Sequence, residues 1–401
     1  MNQDIVDLEL PYVGRCLRVD GVPEVVQALM QAMPSWPIKV SPPSSILPTR
    51  YIYRDATGLW QGSLHEANEF HLPSPASAAC SLVGDLLSER LQTQPELLGL
   101  HCASVEINQR LVLFPESSKA GKSTLSVAFA AAGYRLFGDD VLGLTENGEG
   151  VAMGVAPRLR LPLPASFSAE FVDYANRYAG PEDDRYRFVL PKSGGLAHLD
   201  ERCPIGAIVL LERDASITHP QVVTLPPAEG LLQLLCQNFA REAQTSILLQ
   251  RLLPLMQSVP CLLLRYSEPL VGARYLAEVI KHPHLQNMNR ASLIKVPPTA
   301  PTNEQDKIYV QKADSKWTAS PSVTSYPLAE ELFLIHNESG AIHRLNSSGK
   351  VAWQLLQQEA ITAVELSEII ATHFQVPTAT VNLDIAALLA ILNQAELITQ
   401  C

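Results

Sequence analysis

The 401-residue chain is short of the signatures that would place it in several common classes. Its seven cysteines (Cys16, Cys80, Cys102, Cys203, Cys236, Cys261, Cys401) are odd in number, lie far apart and form no C-x-x-C pair, which argues for reduced thiols over disulfides or thiolate zinc. No apolar run approaches the roughly 18 residues of a membrane-spanning helix. The opening Met1-Asn2-Gln3-Asp4-Ile5-Val6-Asp7 carries acid where a signal peptide is basic and then apolar. The expectation is a cytoplasmic protein with no membrane partner. Basic residues are also scarce: 30 Lys and Arg face 41 Asp and Glu, and the net charge of −11 opposes a nucleic-acid partner. The chain shows no internal repeat, low-complexity tract or heptad run.

What is present is a large apolar content, 47% of residues against 18% charged, enough for a buried core. Length suggests two to three domains at roughly 100–200 residues each. The sharpest composition shift, around Lys295-Val296-Pro297-Pro298-Thr299-Ala300-Pro301, reads as a linker over 284–313. It divides residues 1–96 and a second region at 97–283 from a small domain at 314–401. Residues 1–96 show a helix from about Ser77, read as its cap, to Leu91, and carry no legible chemistry. From Leu97 onward strands and helices alternate, which argues for an α/β core.

The most informative stretch is Phe114-Pro115-Glu116-Ser117-Ser118-Lys119-Ala120-Gly121-Lys122-Ser123-Thr124, set between a buried strand and a helix. That is where a phosphate-binding loop belongs, with backbone N–H groups around the phosphates, a lysine on their oxygens and a hydroxyl on Mg²⁺. Gly121, Lys122 and Ser123 complete the second half of G-x-x-x-x-G-K-[ST], while Glu116 stands where the first glycine is usual. Asp139 and Asp140 follow at the end of a strand, placed to hold a metal and to act as general base. His101 is expected on the strand before the loop-bearing one. Arg158 and Arg160 are candidates for binding phosphate or the acceptor. Asp183 to Arg187 with Pro191 to Gly195 read as a mobile loop able to close over the site.

The stretches L-H-C-A-S-V, L-V-L-F-P-x-x-x-x-A-G-K-S-T-L and G-Y-R-L-F-G-D-D-V-L-G-L resemble the HPr kinase/phosphorylase-like P-loop serine kinases, over about Leu97 to His282. The acidic-Arg-Gly signature of true HPr kinases is absent. The resemblance implies ATP or another NTP with Mg²⁺, held by Ser118, Lys119, Ala120, Gly121, Lys122, Ser123, Thr124, Arg158 and Arg160. It also implies metal ligation by Ser123 and Asp140, and catalysis by His101, Asp139, Asp140 and Lys122.

In the last domain, strands at Leu332–His336 and Ala341–Leu345 precede three helices, capped by Asn346, by Thr362 with Glu365, and by Thr378. The arrangement is winged-helix-like, but nine acids against three bases from Asp314 onward exclude DNA as its partner. The pattern L-N-x-x-G-x-x-x-W-x-L-L, followed by T-x-x-E and a long helix, is similar to the PqqD-like peptide-recognition domains of ribosomal-peptide modification, with Trp353 read as core. That resemblance implies a precursor leader peptide held by Ile342, His343, Arg344 and Leu345 and by the face of Asp384, Leu388 and Ile391. The expected fold is therefore an α/β P-loop kinase core plus a small α+β domain. The expected function is an ATP- and Mg²⁺-dependent kinase phosphorylating a hydroxyl, serine by preference, of the captured peptide, with other peptide-modifying enzymes as further partners. The sequence leaves open a nucleotide-binding peptide chaperone, a regulatory kinase of an HPr-like carrier, and a homo-oligomer.

Overall fold

A computed structural model describes residues 5–65, 68–115, 121–239, 244–282 and 315–401. Glu116, Ser118, Lys119, Ala120 and the 284–313 linker lie outside the described residues. No described helix is long and apolar enough to cross a membrane.

Contacts divide the chain into two units, Met1–Glu242 with Ser258–Arg290, and Ala243–Gln257 with Ala291–Cys401. The first begins with β1 (Ile5–Leu10), β2 (Gly14–Asp20), α1 (Pro23–Ala32), β3 (Lys39–Ser41), β4 (Arg50–Asp55), β5 (Gly58–Ser63) and β6 (Phe70–Leu72). These strands form one sheet in the order β3-β1-β2-β4-β5-β6. Helix α2 (Pro75–Thr93) packs on α1. Its cap is Ser74, three residues before the expected Ser77. Ser74 accepts from the Ser77 backbone and Ser77 answers the Ser74 backbone, a reciprocal box with Pro75 preset for the first turn.

A second sheet follows, built from β7 (Leu98–Leu100), β8 (Ala103–Ile107), β9 (Arg110–Phe114), β10 (Arg135–Gly138), β11 (Leu142–Leu144) and β12 (Glu149–Ala152), with α3 (Lys122–Ala131) after β9. Next come β13 (Arg158–Arg160), α4 (Ala169–Arg177), β14 (Ala179–Glu182), β15 (Tyr186–Val189), β16 (Arg202–Arg213), β17 (Gln221–Leu225) and α5 (Pro227–Leu235). The unit closes with β18 (Cys261–Tyr266) and α7 (Pro269–Lys281), after α6 (Thr245–Ser258). Strand β16 is the axis: it runs parallel to β9 through Ile205–Ile208 and to β18 through Ile208–Arg213. Its apolar residues are buried in succession, as parallel strands covered on both faces require. Helix α3 lies against α7 and α4, and Phe129 meets Phe114 at 5.7 Å between ring centroids. Asp183 to Arg187, read from the sequence as part of a mobile loop, fall within a hairpin of β14 and β15 extended by β13. Asp183 accepts from the backbone N–H groups of Arg185 and Tyr186 and closes its turn.

The second unit contains β19 (Lys316–Ala319), β20 (Val323–Leu328), β21 (Glu331–His336), β22 (Ile342–Leu345), α8 (Ser347–Gln358), β23 (Ile361–Thr362), α9 (Ala363–Phe374), α10 (Thr378–Gln394) and β24 (Ile398–Gln400). The expected hairpin is the β21–β22 half of a three-stranded sheet with β20, and β19 gathers β23 and β24 into another. The Asn346 cap and the Thr362–Glu365 box are in place. Thr378 is the first helical residue of α10 after Pro377, rather than its cap. Trp353 is fully buried among Leu334, Leu356 and Leu389. Residues 243–257, inside the span read as nucleotide-binding, group with this unit, where the Thr245 hydroxyl donates to the Gly340 carbonyl at 2.8 Å.

Candidate functional site

The chain leaves β9 and enters α3 through Gly121, whose φ of +103° lies in the left-handed region. A Cβ there would come within 2.7 Å of the Tyr266 hydroxyl at the end of β18, so glycine is required on two counts. The first turn of α3 then presents Lys122, Ser123 and Thr124 and no acid. Open backbone N–H groups, the positive end of the helix and a lysine make this turn chemically suited to phosphate.

Asp139, just past β10, is only 4% exposed, and Lys122 only 6%. The Asp139 carboxylate accepts from the Arg158 backbone N–H at 3.1 Å, from the Ser126 hydroxyl at 3.1 Å and from the Ser123 hydroxyl. Burial, and then the neighbouring Asp140 charge, push its pKa up to about 6, which these hydrogen bonds only partly oppose. Asp140 is more exposed and meets the Arg158 guanidinium at 3.4 Å. The sequence reading paired Ser123 with Asp140 at the metal; in the structure the Ser123 hydroxyl bonds Asp139, while Asp140 meets Arg158.

His101 is not within a strand. It occupies the break between β7 and β8, its backbone N–H donating to the Gln237 carbonyl at 2.7 Å and its ring stacked at 6.4 Å from Phe239. Burial lowers its pKa, the Lys122 and Arg158 charges add to this, and Asp140 opposes it. Burial thus favours its neutral form over the charged one. Arg158 and Arg160, on β13, stack over the Tyr186 ring at 4.8 and 5.9 Å. Sequence reasoning missed Cys80 on α2, Phe188 on β15 and Phe239, which line one cavity with His101, Asp139, Asp140 and Arg158. Nothing in their local patterns marks them, since three separate segments meet there only in the fold.

An ATP-bound Mg²⁺ would suit the donors present. Ser123 and Asp139 offer hydroxyl and carboxylate oxygens, the ligands of a hard cation. No group of three or more His, Cys, Asp or Glu side chains able to hold a metal occurs among the described residues.

In the second unit, β22 pairs with β21 alone among the described strands, so it is a sheet edge. His336 donates its backbone N–H to Ala341, and antiparallel alternation then turns the backbone N–H of Ile342 outward and that of His343 toward β21. Of the residues expected to hold peptide, Ile342, His343 and Arg344 are half-buried, and Arg344 pairs with Glu331. Leu345 departs from expectation: it is buried in the core beside Trp353 and anchors the strand instead. On α10, Asp384, Leu388 and Ile391 follow one helical stripe, with Asp384 exposed, Leu388 half-buried and Ile391 59% exposed.

None of the curated proteins searched matches this chain in sequence. Among solved structures, that of TbiB1 in complex with the TbiA(beta) leader peptide is 28% identical, covering 20% of this chain and 93% of that one, with a TM-score of 0.19. The Hpr(Ser) kinase/phosphatase from Coxiella burnetii is 16% identical, covering 47% of this chain and 97% of that one, with a TM-score of 0.25. Residues 331–398, from β21 to the first residue of β24, match the family model of coenzyme PQQ synthesis protein D (PqqD).

Proposed function

We propose that the chain is an ATP- and Mg²⁺-dependent kinase that captures a ribosomally made precursor peptide through its PqqD domain and phosphorylates a hydroxyl on it, serine by preference. The observation that carries this reading is the convergence of Lys122, Ser123, Asp139, Asp140 and His101 at the glycine-capped start of α3. The PqqD match and the open β22 edge supply the peptide side of the argument, since an extended peptide adds to such an edge as a further strand.

When bound, Mg²⁺·ATP would supply the γ-phosphoryl group, with the metal neutralising its charge. Ser123 and Asp139 would hold that metal. Lys122 sets a fixed positive charge beside the phosphates in a buried site, where it acts with little water screening. Asp140 takes the proton as the peptide oxygen bonds to phosphorus and the bond from phosphorus to the ADP oxygen breaks. Neutral His101 orients the hydroxyl by a hydrogen bond, and Arg158 holds the Asp140 carboxylate in place. The test is the intact mass of a precursor peptide incubated with Mg²⁺, ATP and this protein. One added phosphate is expected with the native chain and none with Lys122→Met, which keeps the side-chain volume. Full phosphorylation by Lys122→Met would overturn the assignment, and peptide binding with no added phosphate from the native chain would leave a peptide carrier.

A further inference from the structure

The cavity that touches His101, Asp139 and Asp140 has a volume of about 130 Å³, and its far wall is apolar: Val83, Gly84 and Leu87 on α2, with Phe188 and Phe239. From this geometry we infer that the cavity is an acceptor subsite, receiving an aliphatic or small aromatic side chain adjacent in the peptide to the hydroxyl that is phosphorylated. The inference rests on the kinase reading and deepens it.

Three observations carry it. The lining includes His101, Asp139, Asp140 and Arg158, so the cavity opens beside the groups proposed to act on the acceptor hydroxyl. Its size is near that of an engineered apolar cavity of about 150 Å³ that takes benzene, and therefore suits one side chain rather than a segment of backbone. Gly84 then shows that the space is kept open. It sits mid-helix in α2, where glycine costs stability relative to alanine, and a Cβ built there meets nothing within 4 Å. Steric need does not explain a glycine at this position, and the space beside it adjoins the cavity that it lines. The N-terminal region thereby gains a role, because α2 forms the wall that reads the residue beside the acceptor.

The test uses the full chain with Mg²⁺·ATP and a set of serine octapeptides varied at the two residues flanking serine, with phosphate counted by mass spectrometry. At one flanking position, Val, Ile, Leu or Phe is expected to exceed Gly, Asp and Lys by about tenfold or more, the discrimination a hydrophobic pocket supplies. Gly84→Leu, whose side chain enters open space, is expected to erase that preference while leaving the affinity for a fluorescent ATP analogue unchanged. Gly84→Ala serves as the folding control and keeps the preference. An undiminished preference in Gly84→Leu overturns the inference, and so does loss of nucleotide affinity, which would give the cavity to the base. If no peptide is phosphorylated, the kinase reading fails separately. The same peptides then decide by fluorescence anisotropy: tighter binding of apolar-flanked peptides that Gly84→Leu abolishes supports the subsite, and equal binding removes it.

Discussion

Asp139 is held by three hydrogen-bond donors and yet is made more basic than a free carboxyl, because the surrounding protein and the Asp140 charge disfavour its ionised form. The stability consequence has a definite sign. A carboxyl whose pKa rises on folding, from 3.8 to about 6, stabilises the folded state at pH values below 3.8 and loses that contribution as pH climbs through 6. At pH 8 the ionised side chain is therefore a cost that Asp139→Asn removes. Urea unfolding at pH 8 should show this variant about 1–3 kcal/mol more stable than the native chain, with the gap closing toward pH 4. A variant less stable at pH 8 would mean that the donors outweigh burial. The same residue illustrates what the sequence conveys. An Asp-Asp pair after a strand was legible as a candidate, but which carboxylate faces Ser123 depends on how the chain turns after β10, and no local pattern encodes that. Leu345 differs in the same way, since its side chain turns to the core while its strand forms the edge.

Among elements, the turn into α3 and the strand β22 carry most of the proposed function with few residues. Gly121→Ala must place a Cβ at φ +103° and within 2.7 Å of the Tyr266 hydroxyl. Nucleotide affinity is expected to fall by about tenfold or more, as roughly 1–3 kcal/mol of backbone strain is relieved by moving the turn. Gly133→Ala, at φ +90° just beyond the far end of α3 with open space around it, should lower the melting temperature and leave nucleotide affinity alone. On β22, Ile342→Pro removes an outward-facing donor without touching the bonds to β21, a position where an edge strand tolerates proline. Leader-peptide affinity, read by calorimetry, should drop by about tenfold with near-native unfolding, and unaltered affinity would exclude strand addition. The elements with strong local signals were legible: β9, α3, β16, β18, and the capped helices α8 and α9. The hairpin of β14 and β15 was not, because Asp183-Asp184-Arg185 reads as solvated polar loop until its turn bonds are seen. Strand β20 lacks apolar alternation, as Val323-Thr324-Ser325-Tyr326-Pro327 shows, and is defined by its pairing to β21.

At the level of the whole molecule, the two units are not consecutive beads. The chain leaves the first unit near residue 242, contributes α6 to the second, returns at 258 for β18 and α7, and crosses again before 315. For the final crossing, composition offered a proline-rich linker over 284–313, which lies outside the described residues. The earlier one was hidden, because a leucine-rich helix such as α6 buries Leu249 and Leu252 equally well in any core, and sequence does not say whose. A single engineered protease site between residues 295 and 305 should consequently leave the C-terminal fragment bound to the remainder through α6, the fragments co-eluting in gel filtration and separating in denaturant. Separation in native buffer would show that α6 contributes little to the second unit. In the proposed reading, two linked sites on one chain would also raise the local concentration of a captured peptide to around millimolar where spacing matches. The placement of α6 bears as well on how such proteins can be recombined. Retargeting this molecule to another peptide by exchanging its last 87 residues would bring in a foreign domain facing a helix it never evolved with, so residues 243–257 have to travel with the graft.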